Sequence, residues 1–308
     1  MKQAAIRTLA PIINSNPGSY ILKKIGILLL LFCTSVFATE SQSNRYAAGN
    51  VELGTKISQL DSEIILANET RIAPLASDML LKVKPMIHQG GSGIAIQEFL
   101  LQQFSQHGWR PMLVGYNGYP EAVPVSVNNQ VGNTPPTDTP FPDAALVKVE
   151  LVAASPQAYV AQAWTFATPN ATEQQRQLLM TARRALRNGI AQIRAGDRLS
   201  NVGTAIQQEL DTNQVVAVHE LVGYSMGQMR IQKPQVPNYK SPINDETLMK
   251  PGQVLNVYVV AKSGTIGVRY QPPEFWTVLT KDGADSVMLS AMVEVTHDGH
   301  RLLSRLID

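Results

Sequence analysis

The fold of this 308-residue chain is decided by one stretch, Val114-Gly-Tyr-Asn-Gly-Tyr-Pro-Glu-Ala-Val-Pro-Val-Ser-Val-Asn-Asn-Gln-Val-Gly-Asn-Thr-Pro-Pro136. Strand-like apolar runs lie over 112–115 and 122–127, on either side of its Tyr- and Gly-rich centre. The Pro-, Thr- and Asp-rich residues 134–142 predict a turn after the second run. We therefore expect short strands and turns in this region.

The composition is that of a folded protein, with 44% hydrophobic and 16% charged residues. The length suits one large domain or two closely packed halves with a substantial core. Neither the hydrophobic fraction nor the charged fraction is typical of an intrinsically disordered chain.

The N-terminal residues predict a secretory signal over 1–38. Lys23 and Lys24 precede an apolar run over 25–32, and Val36-Phe-Ala38 places small residues where a signal peptidase cleaves. We therefore expect a periplasmic or secreted protein. A retained membrane anchor is the alternative, although the apolar run is shorter than the roughly 20 residues that span a bilayer.

Removal of that leader changes the charge and the thiol content. It takes away four of the 26 basic residues and no acidic residue, which leaves 22 bases against 24 acids. This balance gives no electrostatic reason to expect nucleic acid or anionic lipid as a partner. Cys33, the single cysteine, leaves with the leader, so the mature chain has neither a disulfide framework nor a cysteine nucleophile.

The remaining chain predicts a duplicated α+β unit. Residues 39–55 are rich in Ser, Asn and small residues, and we expect a flexible N-terminus there, followed by one domain over 56–308. Periodic apolar residues predict helices over 58–83, 94–107, from a cap at Asn170 and Glu173 to about 196, and over 199–210. Strands are predicted over 146–153, 159–166, 215–221, 254–261, 266–270, 276–280 and 286–296. Two helices followed by strands, twice over, favour two similar halves.

Several motifs in fixed order resemble those of the methionine aminopeptidases. They are the opening stretch, residues 194–207, Gly223-Tyr-Ser-Met-Gly227 with 234–239, residues 248–255, Trp276-Thr-Val-Leu-Thr-Lys-Asp282, and Val295-Thr-His-Asp-Gly299. The resemblance spans about 60–303. It implies the pita-bread fold, in which duplicated helix–strand halves surround a curved antiparallel sheet.

The same resemblance implies two divalent ions, held by carboxylates and one imidazole, that activate a water molecule. The positions that correspond to ligands and to the substrate-assisting His are Asn133, Glu150, Ala161, Tyr224, Tyr258 and Ser290. Only Glu150 retains an acidic side chain. Two adjacent dications need several anionic oxygens, so we expect no metal and no other cofactor, and therefore no enzyme activity. A shifted alignment is the alternative explanation.

The substrate side of the resemblance is better preserved. Tyr116, Tyr119 and Trp276 match residues that line the family's pocket for the N-terminal methionine side chain, whereas Arg230 stands where an aromatic residue is usual. Two interpretations remain open. The aromatic residues either fill the core or line a cleft that still holds a peptide.

These observations together predict an exported, catalytically inactive methionine aminopeptidase homologue, a pseudopeptidase, that binds a peptide or protein partner in the cell envelope. One alternative is a metal-independent peptidase in which Glu150 and Tyr224 or Tyr258 act as acid and base. A second alternative is a structural subunit of an envelope assembly. An open cleft lined by Tyr116, Tyr119 and Trp276 favours peptide binding over the structural role.

Overall fold

The structure, a computed structural model, describes residues 42–241, 246–265 and 267–307. The predicted leader over 1–38 lies outside these residues. The helices are α1 (Gln42–Ser58), α2 (Ser62–Val83), α3 (Gly93–Gln106), α4 (Glu173–Ile190) and α5 (Ser200–Thr212). The strands are β1 (Arg110–Pro111), β2 (Val125–Val127), β3 (Gln130–Gly132), β4 (Leu146–Ala154), β5 (Tyr159–Ala167), β6 (Val216–Ala217), β7 (Gly223–Met226), β8 (Gln232–Val236), β9 (Val254–Lys262), β10 (Val268–Tyr270), β11 (Val278–Thr280), β12 (Ser286–Thr296) and β13 (Gly299–Leu302).

Two long antiparallel strand pairs form the centre of the molecule. β4 pairs with β5, and β9 pairs with β12. β1 and β2 extend the first pair along β4, whereas β13 and the β7–β8 hairpin extend the second pair. Nearly every residue of the four central strands is buried, as their Val-, Leu- and Ala-rich sequences require.

Side-chain hydroxyls join the two strand pairs. The Thr165 hydroxyl donates to the Met288 carbonyl oxygen (2.8 Å) and accepts from the Met288 amide (2.9 Å). The Ala163 amide donates to the Ser290 hydroxyl (2.8 Å). These bonds satisfy backbone groups where β5 and β12 lie side by side without a regular ladder. The predicted α+β class, with duplicated helix–strand halves, is confirmed.

Each strand pair carries its own helices. α2 packs on β5, and α4 packs on β9 and β12, with α5 against α4. The buried sides of α2 and α4 are apolar, with Ile65, Ile72 and Met79 on α2 and Leu179 and Leu186 on α4. Helices therefore cover one face of the central strands. Within the described ranges, no helix combines the length and the apolar character that crossing a bilayer requires.

The structure differs from the prediction of a flexible segment over 39–55, because α1 begins at Gln42. This helix packs on the core through Ile57, with Tyr46 and Leu53 partly buried against it, and polar contacts add to that packing. The Asn50 side-chain amide donates to the carbonyl oxygens of Pro111 (2.7 Å) and Val114 (3.2 Å), and the Arg110 guanidinium donates to Asn50 Oδ1 (3.1 Å). Such long-range contacts leave no periodic signal in the sequence.

Two local predictions are also corrected. The helix predicted to start from a cap at Asn170 and Glu173 is instead capped by Thr172, whose hydroxyl accepts from the Gln175 amide while Gln175 Oε1 accepts from the Thr172 amide. The strand predicted over 112–115 is a turn. Gly115 has φ 81°, and a Cβ there would lie 2.6 Å from Ala47 Cβ of α1, so only glycine fits.

Candidate functional site

A cavity of about 420 Å³ opens beside the two central strand pairs. β3 and β11 pair there, with Gly132 opposite Val278, and this pairing brings the opening stretch of the sequence next to the Trp276 motif. All four predicted ligand-binding residues line the cavity, together with four of the six positions that correspond to the family's metal ligands and assisting His: Tyr116, Tyr119, Arg230, Trp276, Asn133, Glu150, Tyr224 and Tyr258. Ala161 and Ser290 lie behind its wall and are fully buried.

Aromatic rings form one wall of this cleft. The rings of Tyr119 and Trp276 meet edge to face, with centroids 5.6 Å apart and an interplanar angle of 86°. Tyr119 is buried, and burial raises the pKa of its phenol, with Glu150 and Glu121 contributing further. Tyr116 is 46% exposed at the mouth, and the Arg230 guanidinium lies over its ring at 4.2 Å.

Glu150 is the buried carboxylate of the cleft. It projects from β4, and its Oε1 accepts a hydrogen bond from the Asn133 amide (2.8 Å). Burial raises the pKa of Glu150 to about 7, although the Asn133 N–H and the nearby charge of Lys148 oppose the shift. Such a carboxyl group can accept and release a proton near neutral pH.

Lys148 stands two residues before Glu150 on β4 and is fully buried. Its ammonium donates to the carbonyl oxygens of Asn128 (2.8 Å) and Ser286 (2.9 Å). Burial lowers the pKa of Lys148 to about 7, against the attraction of Asp285 and Glu150. These bonds hold Lys148 between β4 and β12.

The other positions singled out from the sequence are Tyr224 and Tyr258, which line the cleft, and Ala161 and Ser290, which lie behind its wall. The rings of Tyr224 and Tyr258 lie 5.7 Å apart. Burial raises the pKa of Tyr258 well above its usual value, and the neighbouring Tyr224 and Glu150 add to that shift. The Asn256 side-chain amide donates to the Ala161 carbonyl oxygen (3.3 Å) and to the Tyr224 hydroxyl (3.5 Å). The structure therefore brings together all six positions that the sequence singled out.

The donors at these positions do not fit a two-metal centre. They offer one carboxylate, one amide, one aliphatic hydroxyl, two phenols and a methyl group, whereas two adjacent dications require several anionic oxygens. Within 42–241, 246–265 and 267–307, no three His, Cys, Asp or Glu side chains converge as metal ligands do.

Sequence reasoning did not identify several residues of the cleft. They are Glu220, Leu221, Tyr270, Phe275 and Met288. Phe275 is 60% exposed and has φ 60°, a backbone conformation that is rare for a bulky side chain. Its position next to Trp276 was the one available signal.

The chain is similar to methionine aminopeptidases along nearly their whole length. It is 29% identical over 243 residues to methionine aminopeptidase 1 of Bacillus subtilis, an alignment that covers 79% of this chain and 96% of the relative. It is 26% identical over 247 residues to the methionine aminopeptidase of Clostridium perfringens, with 78% and 98% covered.

Solved structures agree on the fold. The crystal structure of the methionine aminopeptidase from Rickettsia prowazekii matches with a TM-score of 0.76 at 20% identity and covers 80% of this chain and 99% of its own. The enzyme from Thermotoga maritima matches with the same TM-score at 23% identity and the same coverage. The pita-bread fold implied by the sequence resemblance is confirmed.

The prediction that the chain is not an enzyme is contradicted by these relatives. They are named as aminopeptidases and match over almost their full length, which points to peptidase activity, and nothing in the comparison marks a loss of activity. The prediction rested on the replaced metal ligands and on the expected export. A profile of metallopeptidase family M24 matches residues 69–297, which is most of the sequence. The chain belongs to metallopeptidase family M24.

Proposed function

We propose that the chain binds the amino-terminal end of a peptide in the cleft. The observation that carries this proposal is the placement of Tyr116, Tyr119, Trp276 and Glu150 around one cavity of about 420 Å³. The aromatic rings offer an apolar wall for the first side chain, and the buried carboxylate offers a partner for the peptide's amino group. The similarity to aminopeptidases supports this choice of ligand.

The exposure of the aromatic residues favours a binding role over a packing role. Tyr116 is 46% exposed, Trp276 is partly exposed, and both face the cavity. Side chains that only fill core are buried from every side. The open cleft also favours peptide binding over a purely structural subunit.

Replacing Trp276 with Ala should weaken peptide binding about 10-fold, because the apolar wall loses most of its area. The measurement is isothermal titration calorimetry with the tripeptide Met-Ala-Ala. Trp276→Phe retains an aromatic face and should lose less affinity. Met180→Ala, which removes an exposed apolar side chain from α4, is the matched control. Unchanged affinity in Trp276→Ala would remove the cleft as the binding site.

Hydrolysis of the bound peptide is the second candidate function, and the position of Glu150 favours it. In this mechanism Glu150 takes a proton from a water molecule whose oxygen attacks the first peptide carbonyl carbon. The C–N bond then breaks, and Glu150 returns the proton to the leaving amine. The phenols of Tyr224 and Tyr258 line the same cavity and would stabilise the oxyanion as hydrogen-bond donors. The aminopeptidase names of the relatives support this candidate.

We also propose that the chain is exported and meets its peptide in the cell envelope, on the basis of Lys23, Lys24 and the apolar run over 25–32. N-terminal sequencing of the protein purified from its own cells should start at Thr39, in the periplasmic or secreted fraction. An intact N-terminus in the cytoplasmic fraction would contradict export. An intact N-terminus in the membrane fraction would indicate a retained anchor.

A further inference from the structure

Arg230 is a buried cation for which the described residues supply no counter-charge. It lies between β7 and β8, is 9% exposed, and lines the peptide cleft. Its Nη2 has no hydrogen-bond partner among the described residues. Within 42–241, 246–265 and 267–307, no acidic side chain forms an ion pair with its guanidinium. Its guanidinium lies over the ring of Tyr116, 4.2 Å from the ring centroid.

The acidic side chains of the cleft do not supply the missing partner. Glu150 Oε1 accepts from the Asn133 amide, and Glu220 lies exposed at the rim. Tyr159 lies within the electrostatic influence of Arg230. Burial raises the pKa of Tyr159, and the positive charge of Arg230 opposes that rise. That phenol is a neutral group and does not balance the guanidinium.

A buried guanidinium without a counter-charge destabilises the fold unless a ligand supplies the counter-charge. Removing a guanidinium from water is unfavourable, and a cation–π contact offsets only part of that penalty. The Nη2 amino group is a buried donor without a partner among the described residues, on a side chain that lines the cavity. A guanidinium presents its N–H groups as a planar fork, and the ligand group that matches this fork in geometry and charge is a carboxylate.

We propose that Arg230 binds a carboxylate of the peptide ligand, so that the cleft selects peptides with an acidic first side chain or short peptides with a free carboxyl terminus. This inference rests on the proposed binding of peptides in the same cleft. A carboxylate-binding cleft differs from one whose wall is only apolar. Arg230 makes this difference, because it stands where the resemblance implies an aromatic residue.

Matched peptide pairs test the inference by isothermal titration calorimetry. Glu-Ala-Ala-amide against Gln-Ala-Ala-amide tests the side chain, and Ala-Ala against Ala-Ala-amide tests the terminus. In at least one pair, the wild-type protein should bind the acidic member about 10-fold more tightly. Arg230→Gln should abolish that preference, and Arg230→Lys should retain part of it. Arg71→Gln, which removes an exposed arginine of α2, should leave the preference intact.

The outcomes separate this inference from the function on which it rests. Equal affinity within both pairs, with all peptides still bound, would overturn the role of Arg230 and leave the peptide cleft standing. A preference that survives in Arg230→Gln would overturn it as well. If no peptide binds, Met-Ala-Ala included, the proposed function and this inference fail together. Should Arg230→Gln not fold, the wild-type pairs and Arg230→Lys decide the question.

Discussion

Replacing Glu69 with Gln should stabilise the fold by up to about 4 kcal/mol near pH 8, and by little near pH 4. Glu69 lies on α2 and is 1% exposed. Its Oε1 has no hydrogen-bond partner among the described residues. Burial raises the pKa of Glu69 to about 8 from its ordinary value of 4.5. Glu69 lines a second cavity, away from the peptide cleft, and Lys233 and Lys250 line that cavity too. Among the described residues, neither lysine forms an ion pair with Glu69.

The sign of the effect follows from proton binding. Between about pH 4.5 and about pH 8 the unfolded chain has lost the Glu69 proton while the folded chain still holds it. The contribution of Glu69 to the free energy of unfolding is therefore fully present below about pH 4.5. It decreases as the pH rises above that value and is lost once the pH passes about 8. A glutamine side chain does not titrate in this range, so the free energy of unfolding of Glu69→Gln does not show this decrease with pH.

Urea unfolding at a series of pH values measures the effect. The informative quantity is the difference in free energy of unfolding between Glu69→Gln and wild type, because contributions from groups such as Lys148 are common to both proteins. Glu63→Gln, at an exposed position of the same helix, is the matched control and should give a flat difference. An equally flat difference for Glu69→Gln would show that Glu69 is ionised in the folded protein at neutral pH.

The long elements were predictable from sequence because burial fixes their composition. β12 has its predicted bounds, and β4, β5 and β9 agree with the predicted ranges to within one residue at each end. These strands are continuous apolar runs buried on both faces. α2 and α3 were visible from apolar residues at helical spacing.

Elements held by distant or local polar contacts were not predictable. Besides its apolar contacts, α1 makes bonds from Asn50 to Pro111 and Val114, which are more than 60 residues away in sequence. β7 and β8 are too short for an alternating pattern to stand out. Tertiary packing, rather than local propensity, forms such elements.

The candidate site was located from motif positions, but its chemistry was not. The motifs placed Tyr116, Asn133, Glu150 and Trp276 in one site, and the structure brings them together. What the sequence does not show is burial: the raised pKa of Glu150 and the missing partner of Arg230 both depend on which neighbours the fold supplies. The identity of the residues at the ligand positions, together with the expected export, led to the wrong prediction of an inactive chain.

Glu150→Gln should lower the rate of peptide hydrolysis by at least about 100-fold, because the mechanism proposed above loses its proton acceptor. Gln retains the size of Glu and an oxygen that can accept from the Asn133 amide, which Glu150 bonds at 2.8 Å. Binding of Met-Ala-Ala should therefore change much less than the rate. Glu220→Gln, which neutralises an exposed carboxylate at the rim of the same cleft, should leave the rate near that of wild type.

The measurement is release of free methionine from Met-Ala-Ala, with and without a strong chelator of divalent cations. Hydrolysis in which Glu150 itself moves the proton should persist with the chelator and vanish in Glu150→Gln. Equal rates for Glu150→Gln and wild type would exclude Glu150 as the base. A wild-type rate abolished by the chelator would mean that the cleft works through a bound cation. Because six positions around the cleft offer one carboxylate between them, that cation would need ligands from the peptide or from water.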